Sequence, residues 1–216
     1  MKYRLAIFDF DGTLADSLPW FRSVFSQVAE RYRLGTIDAA EFEALRGVGN
    51  REILRRLRVP VWKLPLIASH MKGLMAADIG RIALFDGVPE MLRGLKAAGV
   101  GLAVVSSNSE ANVRRVLGPD NAALIGHYGC GASIFGKAAR FKAALRQGGV
   151  APAQAICIGD EVRDAEAARA QGIPFAAVSW GYATPRVLAD QSPLVLFERV
   201  EEIVPALVRR SGGPAG

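Results

Sequence analysis

Short stretches that are apolar at every position punctuate this chain, and they restrict its fold more than any other feature. The first is Leu5-Ala6-Ile7-Phe8; the later ones are Gly101-Leu102-Ala103-Val104-Val105, Ala155-Ile156-Cys157-Ile158, Phe175-Ala176-Ala177-Val178 and Leu194-Val195-Leu196-Phe197. Successive side chains of a strand point to opposite faces, so a strand with one wet face alternates apolar and polar residues. A run without alternation is buried on both faces, the condition of a parallel strand between two helical layers. Helical spacing fills the intervals, with Met91, Leu92 and Leu95 ahead of Gly99 and Val113, Val116 and Leu117 beyond the second run. The predicted class is α/β, with a Rossmann-like doubly wound parallel sheet as the core.

In such folds ligands bind outside the carboxyl ends of the strands. Three of the apolar runs end in chemistry: Asp9-Phe10-Asp11-Gly12-Thr13, Ser106-Ser107-Asn108, and Gly159-Asp160-Glu161-Val162-Arg163-Asp164. Residues i and i+2 of a strand share a face, so Asp9 and Asp11 are expected to face one spot if the chain stays extended to residue 11. Two close carboxylates repel and are costly to desolvate. A hard divalent cation such as Mg²⁺ relieves both penalties. Gly12 permits a tight turn that leaves backbone N–H groups free to meet an anion. The Ser106 hydroxyl and the N–H groups after it suit a phosphoryl oxygen, although helix capping is the plainer use. Ser107 rivals Ser106 for the side-chain role, and Asn108 supports substrate or phosphate. Among Asp160, Glu161 and Asp164, at least one is expected to complete the oxygen shell of the cation; Glu161 can instead be a favourable charge at a helix start.

Together these pieces resemble the haloacid dehalogenase-like (HAD) superfamily, mostly Mg²⁺-dependent phosphatases that work through an aspartyl-phosphate. The resemblance implies Asp9 as nucleophile, Asp11 as general acid/base, and both with Asp160 as metal ligands. It implies Ser106 as the phosphoryl-binding hydroxyl, Thr13 beside Gly12 as a supporting hydroxyl on the substrate side, and Asp164 as a second-layer or helix-start partner. The stretch Gly131-Ala132-Ser133-Ile134-Phe135-Gly136-Lys137-Ala138 nearly spells a nucleotide-binding P-loop. However, Ala138 has no hydroxyl for a cation, and residues 128–131 read as an irregular loop with no apolar strand before Gly131. By resemblance Lys137 is instead the lysine of the third HAD motif, offsetting the charge of Asp9 and the phosphoryl group. Many relatives place proline after that lysine; this chain has Ala138.

Between the first strand and Phe85 the spacing predicts helices over residues 18–33, 38–46, 50–58 and 61–77, with Asp16 or Ser17 as a cap and Pro19 in the first turn. This segment resembles the helical cap that many HAD phosphatases carry after the first motif. The implied division is a core of residues 1–15 and 82–208, a small helical cap domain of 16–81, and a flexible tail of 209–216. Leu45-Arg46-Gly47-Val48-Gly49-Asn50-Arg51 resembles the substrate-specificity loop of the phosphoglycolate phosphatase and β-phosphoglucomutase branch. Arg46 and Arg51 are therefore predicted substrate contacts, against an ordinary helix–helix turn with exposed arginines. Trp180, in Trp180-Gly181-Tyr182, also resembles that branch and is assigned to packing.

The 216 residues are 50% apolar and 22% charged, with 27 basic against 21 acidic side chains for a net +6. A positive balance favours anionic partners, and no aromatic-interleaved basic patch points to nucleic acid. No apolar run is long enough to span a membrane, and Met1-Lys2-Tyr3-Arg4 leads into the first strand without a signal-peptide layout, so a cytoplasmic location is expected. Cys130 and Cys157 form no disulfide framework, and His70 and His127 have no partners in any motif. The expected partner is a small phosphorylated metabolite, bound by a monomer or homodimer. The expected function is Mg²⁺-dependent hydrolysis of a small phosphomonoester, with phosphoglycolate the candidate that the resemblance supplies. A sugar phosphomutase of the same superfamily and a non-enzymatic HAD-like scaffold are the alternatives.

Overall fold

The computed structural model describes residues 3–35, 38–48, 50–131 and 136–208, apart from the side chains of Asn50 and Arg51. Six strands form a parallel sheet in the order β5-β4-β1-β6-β7-β8: β1 is Leu5–Phe8, β4 Gly101–Val104, β5 His127–Tyr128, β6 Ala155–Gly159, β7 Phe175–Val178 and β8 Leu196–Phe197. β1 lies at the centre, with Leu5 in register with Gly101 on one side and Ala155 on the other. The chain leaves β1 for β4 and β5, then returns to the other side of β1 for β6, β7 and β8. The strand order therefore reverses at β1, and the crevice for a ligand opens beyond Phe8, where Asp9 begins.

The unbroken apolar runs are explained by the two layers. Ala6 and Phe8 pack with Leu92 and Leu95 of α5 (Val88–Ala97), and with Val113 of the helix α6 (Glu110–Leu124), which breaks at Gly118. Leu5 and Ile7 face the opposite layer, with Phe141 and Ala144 of α7 (Lys137–Gly148) and Ala168 of α8 (Val162–Ala170). Two short helices, α9 (Pro185–Ala189) and α10 (Ile203–Val208), complete the wrapping.

Two short pairings were not foreseen. β5 is a half-buried edge strand at His127–Tyr128, paired with β4, within a region read as loop from its sequence. An edge strand of two residues carries no apolar run to find. β2 (Ala15–Asp16) and β3 (Ala83–Leu84) pair antiparallel where the chain leaves and rejoins the sheet. Between them run α1 (Leu18–Tyr32), α2 (Ala39–Arg46), α3 (Asn50–Arg56) and α4 (Leu64–Ala77), close to the expected spans. Ser17 precedes α1, with Pro19 in its first turn, but its hydroxyl caps nothing and meets the Tyr182 hydroxyl at 3.1 Å. The tail of residues 209–216 lies outside the described residues.

Candidate active site

Asp9 leaves the carboxyl end of β1 fully within the protein. Its Oδ1 accepts the Phe10 N–H at 2.7 Å, while Oδ2 lies 2.7 Å from Lys137 Nζ and 4.0 Å from an Arg163 guanidinium nitrogen. Lys137, at the start of α7, pairs with Asp164 as well, so one buried ammonium bridges two carboxylates. Burial works to lower the lysine's pKa, and Asp164 and Asp9 outweigh it, holding the ammonium above its ordinary range. For Arg163 burial likewise opposes the charge, and Glu161, Asp9 and Asp164 prevail; it is also paired with Glu161.

Asp160 follows β6 and is completely buried. Thr13 Oγ1 donates to its Oδ1 at 2.6 Å, and the Tyr182 N–H donates to Oδ2 at 2.7 Å. Burial, then the charge of Glu161, drives its pKa well up. Asp164 takes the Glu161 N–H at 3.1 Å, and its carboxyl is pushed up to about 7 by burial and then by Asp9. Asp9, Asp160 and Asp164 each offer a carboxylate oxygen, all within 4.8 Å of one another.

Three glycines make this crowding possible. A Cβ at Gly12 would sit 2.2 Å from Asp160 Oδ2, one at Gly181 would sit 2.2 Å from Asp160 Cβ, and one at Gly159 would sit 2.4 Å from Asp164 Oδ2. Gly12 also needs its positive φ of 79° for the turn after Phe10.

Asp11 does not join the three clustered carboxylates, contrary to the expectation that it would share a face with Asp9. The extended run stops at Phe8, and the chain turns so that the Thr13, Leu14 and Ala15 N–H groups all converge on the Phe10 carbonyl. Asp11 Oδ2 accepts Asn108 Nδ2 at 3.2 Å, and its carboxyl is pushed up to about 6 by burial and then by Asp9. Gly12 and Thr13 also differ from their expected role on the substrate side. The Gly12 N–H donates to Ala15 O and the Thr13 hydroxyl is spent on Asp160, so both serve the carboxylate site.

After β4, Ser106 Oγ accepts the Asn108 N–H at 3.0 Å, and Asn108 in turn holds Asp11, Ser109 and Asn112. Ser107 and Asn108 line a cavity of about 760 Å³ that starts at Asp11 and runs beneath α1–α4. Arg46 lines it too, but its guanidinium is committed to the Gly181 and Tyr182 carbonyls at 3.0 and 2.9 Å and to Glu43 at 2.8 Å. The expected substrate contact is thus a clamp on the 181–182 loop. The Arg51 side chain lies outside the described residues. Trp180 packs against Phe85 as foreseen, and its indole N–H donates to the Thr13 carbonyl at 3.2 Å.

Arg163 was given no role from the sequence, and Gly181 and Tyr182 were marked only as neighbours of Trp180. A lone arginine among the carboxylates of residues 160–164 was the available signal for the first. Nothing local shows what Gly181 does there, because its value comes from a carboxylate 21 positions earlier in the chain.

Asp9 Oδ2 is ion-paired with Lys137 but makes no aligned hydrogen bond, three carboxylates face one point with a single ammonium bridging two of them, and the donor set is hard oxygen throughout. Those features fit a divalent cation, which Asp9, Asp160 and Asp164 could hold. The arrangement offers a buried carboxylate nucleophile, cations to neutralise an incoming anion, and a second carboxyl able to hold a proton near neutrality.

The model of the family described as haloacid dehalogenase-like hydrolase matches residues 6–178. The chain is similar to a phosphoglycolate phosphatase of Synechococcus elongatus, 30% identical over 204 residues that cover 94% of this chain and 96% of that protein. It is also similar to a protein named tyrosine-protein kinase PtkA from Mycobacterium tuberculosis, 32% identical over 210 residues, covering 89% of this chain and 68% of the relative. Among solved structures, a haloacid dehalogenase-like family hydrolase from Streptococcus pneumoniae superposes with a TM-score of 0.77 at 20% identity, covering 95% of this chain and 98% of that one. The last likeness carries the fold.

Proposed function

This chain belongs to the haloacid dehalogenase-like hydrolase family and is a phosphatase of it, and from that premise we propose Mg²⁺-dependent hydrolysis of a small phosphomonoester through an aspartyl-phosphate on Asp9. The observation that carries the reading is the Asp9 carboxylate, buried at the sheet's reversal point, with one oxygen held by the Phe10 N–H and the other unaligned beside Lys137. In this reading residues 16–81 act as a cap over a core of 1–15 and 82–208.

Asp9 Oδ2 attacks phosphorus, forming an O–P bond as the ester oxygen leaves. Asp11 gives that oxygen its proton, a role suited to a carboxyl held at about 6. Lys137 offsets the charge gathered at Asp9, and Ser106 Oγ is the hydroxyl expected to meet a phosphoryl oxygen. Asp11, now ionised, takes a proton from water as that water attacks the phosphorus and returns Asp9 free. When bound to Asp9, Asp160 and Asp164, Mg²⁺ supplies further neutralisation of phosphoryl charge. Asn108 and the Phe10–Ala15 turn fix the position of Asp11.

Phosphoglycolate is the candidate substrate that the Synechococcus relative's name supplies, and a cytoplasmic metabolite is the partner class proposed. The test is phosphate release from p-nitrophenyl phosphate with Mg²⁺ or with EDTA, for the wild type and Asp9→Asn. Activity is expected only in the Mg²⁺-loaded wild type. Undiminished turnover by Asp9→Asn would rule out the nucleophile, and undiminished turnover in EDTA would rule out the metal.

A further inference from the structure

The cavity that begins at Asp11 is larger and more apolar than a leaving group of glycolate's size requires. At about 760 Å³ it lies within the range of about 300–1,000 Å³ typical of sites for drug-sized ligands. Its walls in α1–α4 include Phe21, Phe25, Phe42, Leu54 and Met71, joined by Leu57 just past the end of α3. An aromatic path links them to the catalytic end: Tyr182 stands edge-on to Phe21 at 5.8 Å, and Phe21 meets Phe25 at 5.8 Å and Phe42 at 6.2 Å.

The polar inventory agrees. The cations lining the cavity among the described residues are Arg46, Lys72 and Arg163. Arg46 is spent on backbone carbonyls and Glu43, and Arg163 on Glu161, which leaves Lys72 as the cation among the described residues for a second anionic group. A carboxylate drawn into these apolar walls would lose its hydration with little return.

Resting on the phosphatase reading, we propose that the preferred substrate is a phosphomonoester whose leaving group is bulky and apolar, aromatic or branched, and lies between α1, α2, α3 and α4. The phosphoryl group would stay at Asp9 while the apolar part extends past Tyr182 and Phe21. Specificity is set by the fit of that part to the chamber.

The test compares esters of similar leaving-group basicity, 2-phenylethyl phosphate against ethyl phosphate, together with phosphoglycolate, in the Mg²⁺-loaded enzyme. kcat/KM is expected to be at least tenfold higher for 2-phenylethyl phosphate than for either of the others. A preference for phosphoglycolate would overturn the inference and leave the phosphatase reading intact, whereas failure to hydrolyse any ester would overturn the phosphatase reading. Binding keeps the two apart: 2-phenylethylphosphonate should bind at least tenfold tighter than methylphosphonate by calorimetry, whether or not turnover is seen. Leu54→Glu should narrow that affinity ratio at least tenfold, with circular dichroism reporting that the variant is folded. Equal affinities of the wild type for the two phosphonates would refute the proposal.

Discussion

Gly181→Ala probes the most crowded point of the site without altering any charged group. The new Cβ would lie 2.2 Å from Asp160 Cβ, 2.3 Å from its Oδ2 and 2.4 Å from its Cγ, where real contacts stay above 3.0 Å. Asp160 has no room to retreat, being fully buried and held by Thr13 Oγ1 at 2.6 Å and the Tyr182 N–H at 2.7 Å. Either the carboxylate or the 180–182 loop must move by most of an ångström. Overpacking of this kind costs about 1–3 kcal/mol, and a hydrogen bond lost from a buried acceptor costs a further ~1–3 kcal/mol. A shift of about 1 Å in a positioned group costs on the order of 100-fold in rate. Gly73→Ala is the control, because a Cβ there, on helix α4, meets nothing within 4 Å. It should stabilise by roughly 0.5–1 kcal/mol through helix propensity alone. Urea denaturation and a Mg²⁺ titration of activity are the assays. Gly181→Ala should lower the unfolding free energy by about 2–6 kcal/mol and raise the Mg²⁺ needed for half-activity at least tenfold. Wild-type values for both would show that the 180–182 loop does not hold Asp160.

Two more consequences follow from buried acids. Asp164 has a folded-state pKa of about 7, above its unfolded value, so between those values the folded protein binds more protons than the unfolded chain, and this group's contribution falls as pH rises through that window. In EDTA, the wild type should lose stability relative to Asp164→Asn between pH 5 and pH 7.5 with a slope of at most ~1.4 kcal/mol per pH unit; a relative gain with rising pH in urea titrations would contradict it. Burial pushes the Cys130 thiol up to about 12 and that of Cys157 higher than its ordinary range, so both stay protonated at pH 8. Iodoacetamide should leave the folded protein unmodified by mass spectrometry and alkylate both thiols after unfolding in urea, and rapid labelling of the native protein would refute the shift.

The sequence was most legible where a local pattern has one physical solution. A run such as Leu5–Phe8, apolar on both faces, has to lie between two layers, and the residue at which it stops has to sit at a strand's carboxyl end. That was sufficient to predict the α/β class and to mark Asp9, Ser106 and Asp160 as strand-end residues. The helices between Leu18 and Ala77 were readable for the same reason, because their spacing and their prolines are local signals.

Which of those residues meet was decided by the tertiary structure. Asp164, expected as a second-layer or helix-start partner, does cap the start of α8 through the Glu161 N–H and also brings a carboxylate oxygen to within 4.8 Å of Asp9 and Asp160, while Asp11 turns aside to Asn108 after a single tight turn. Arg46 was expected to meet the substrate and is instead spent on the 181–182 carbonyls, and the Thr13 hydroxyl is spent on Asp160. Gly181 matters only because a distant carboxylate needs the volume its missing side chain leaves free. A strand's burial follows from its own residues, but the partner of a buried polar atom depends on which loops the order of strands brings together, and that order is not written in any one segment.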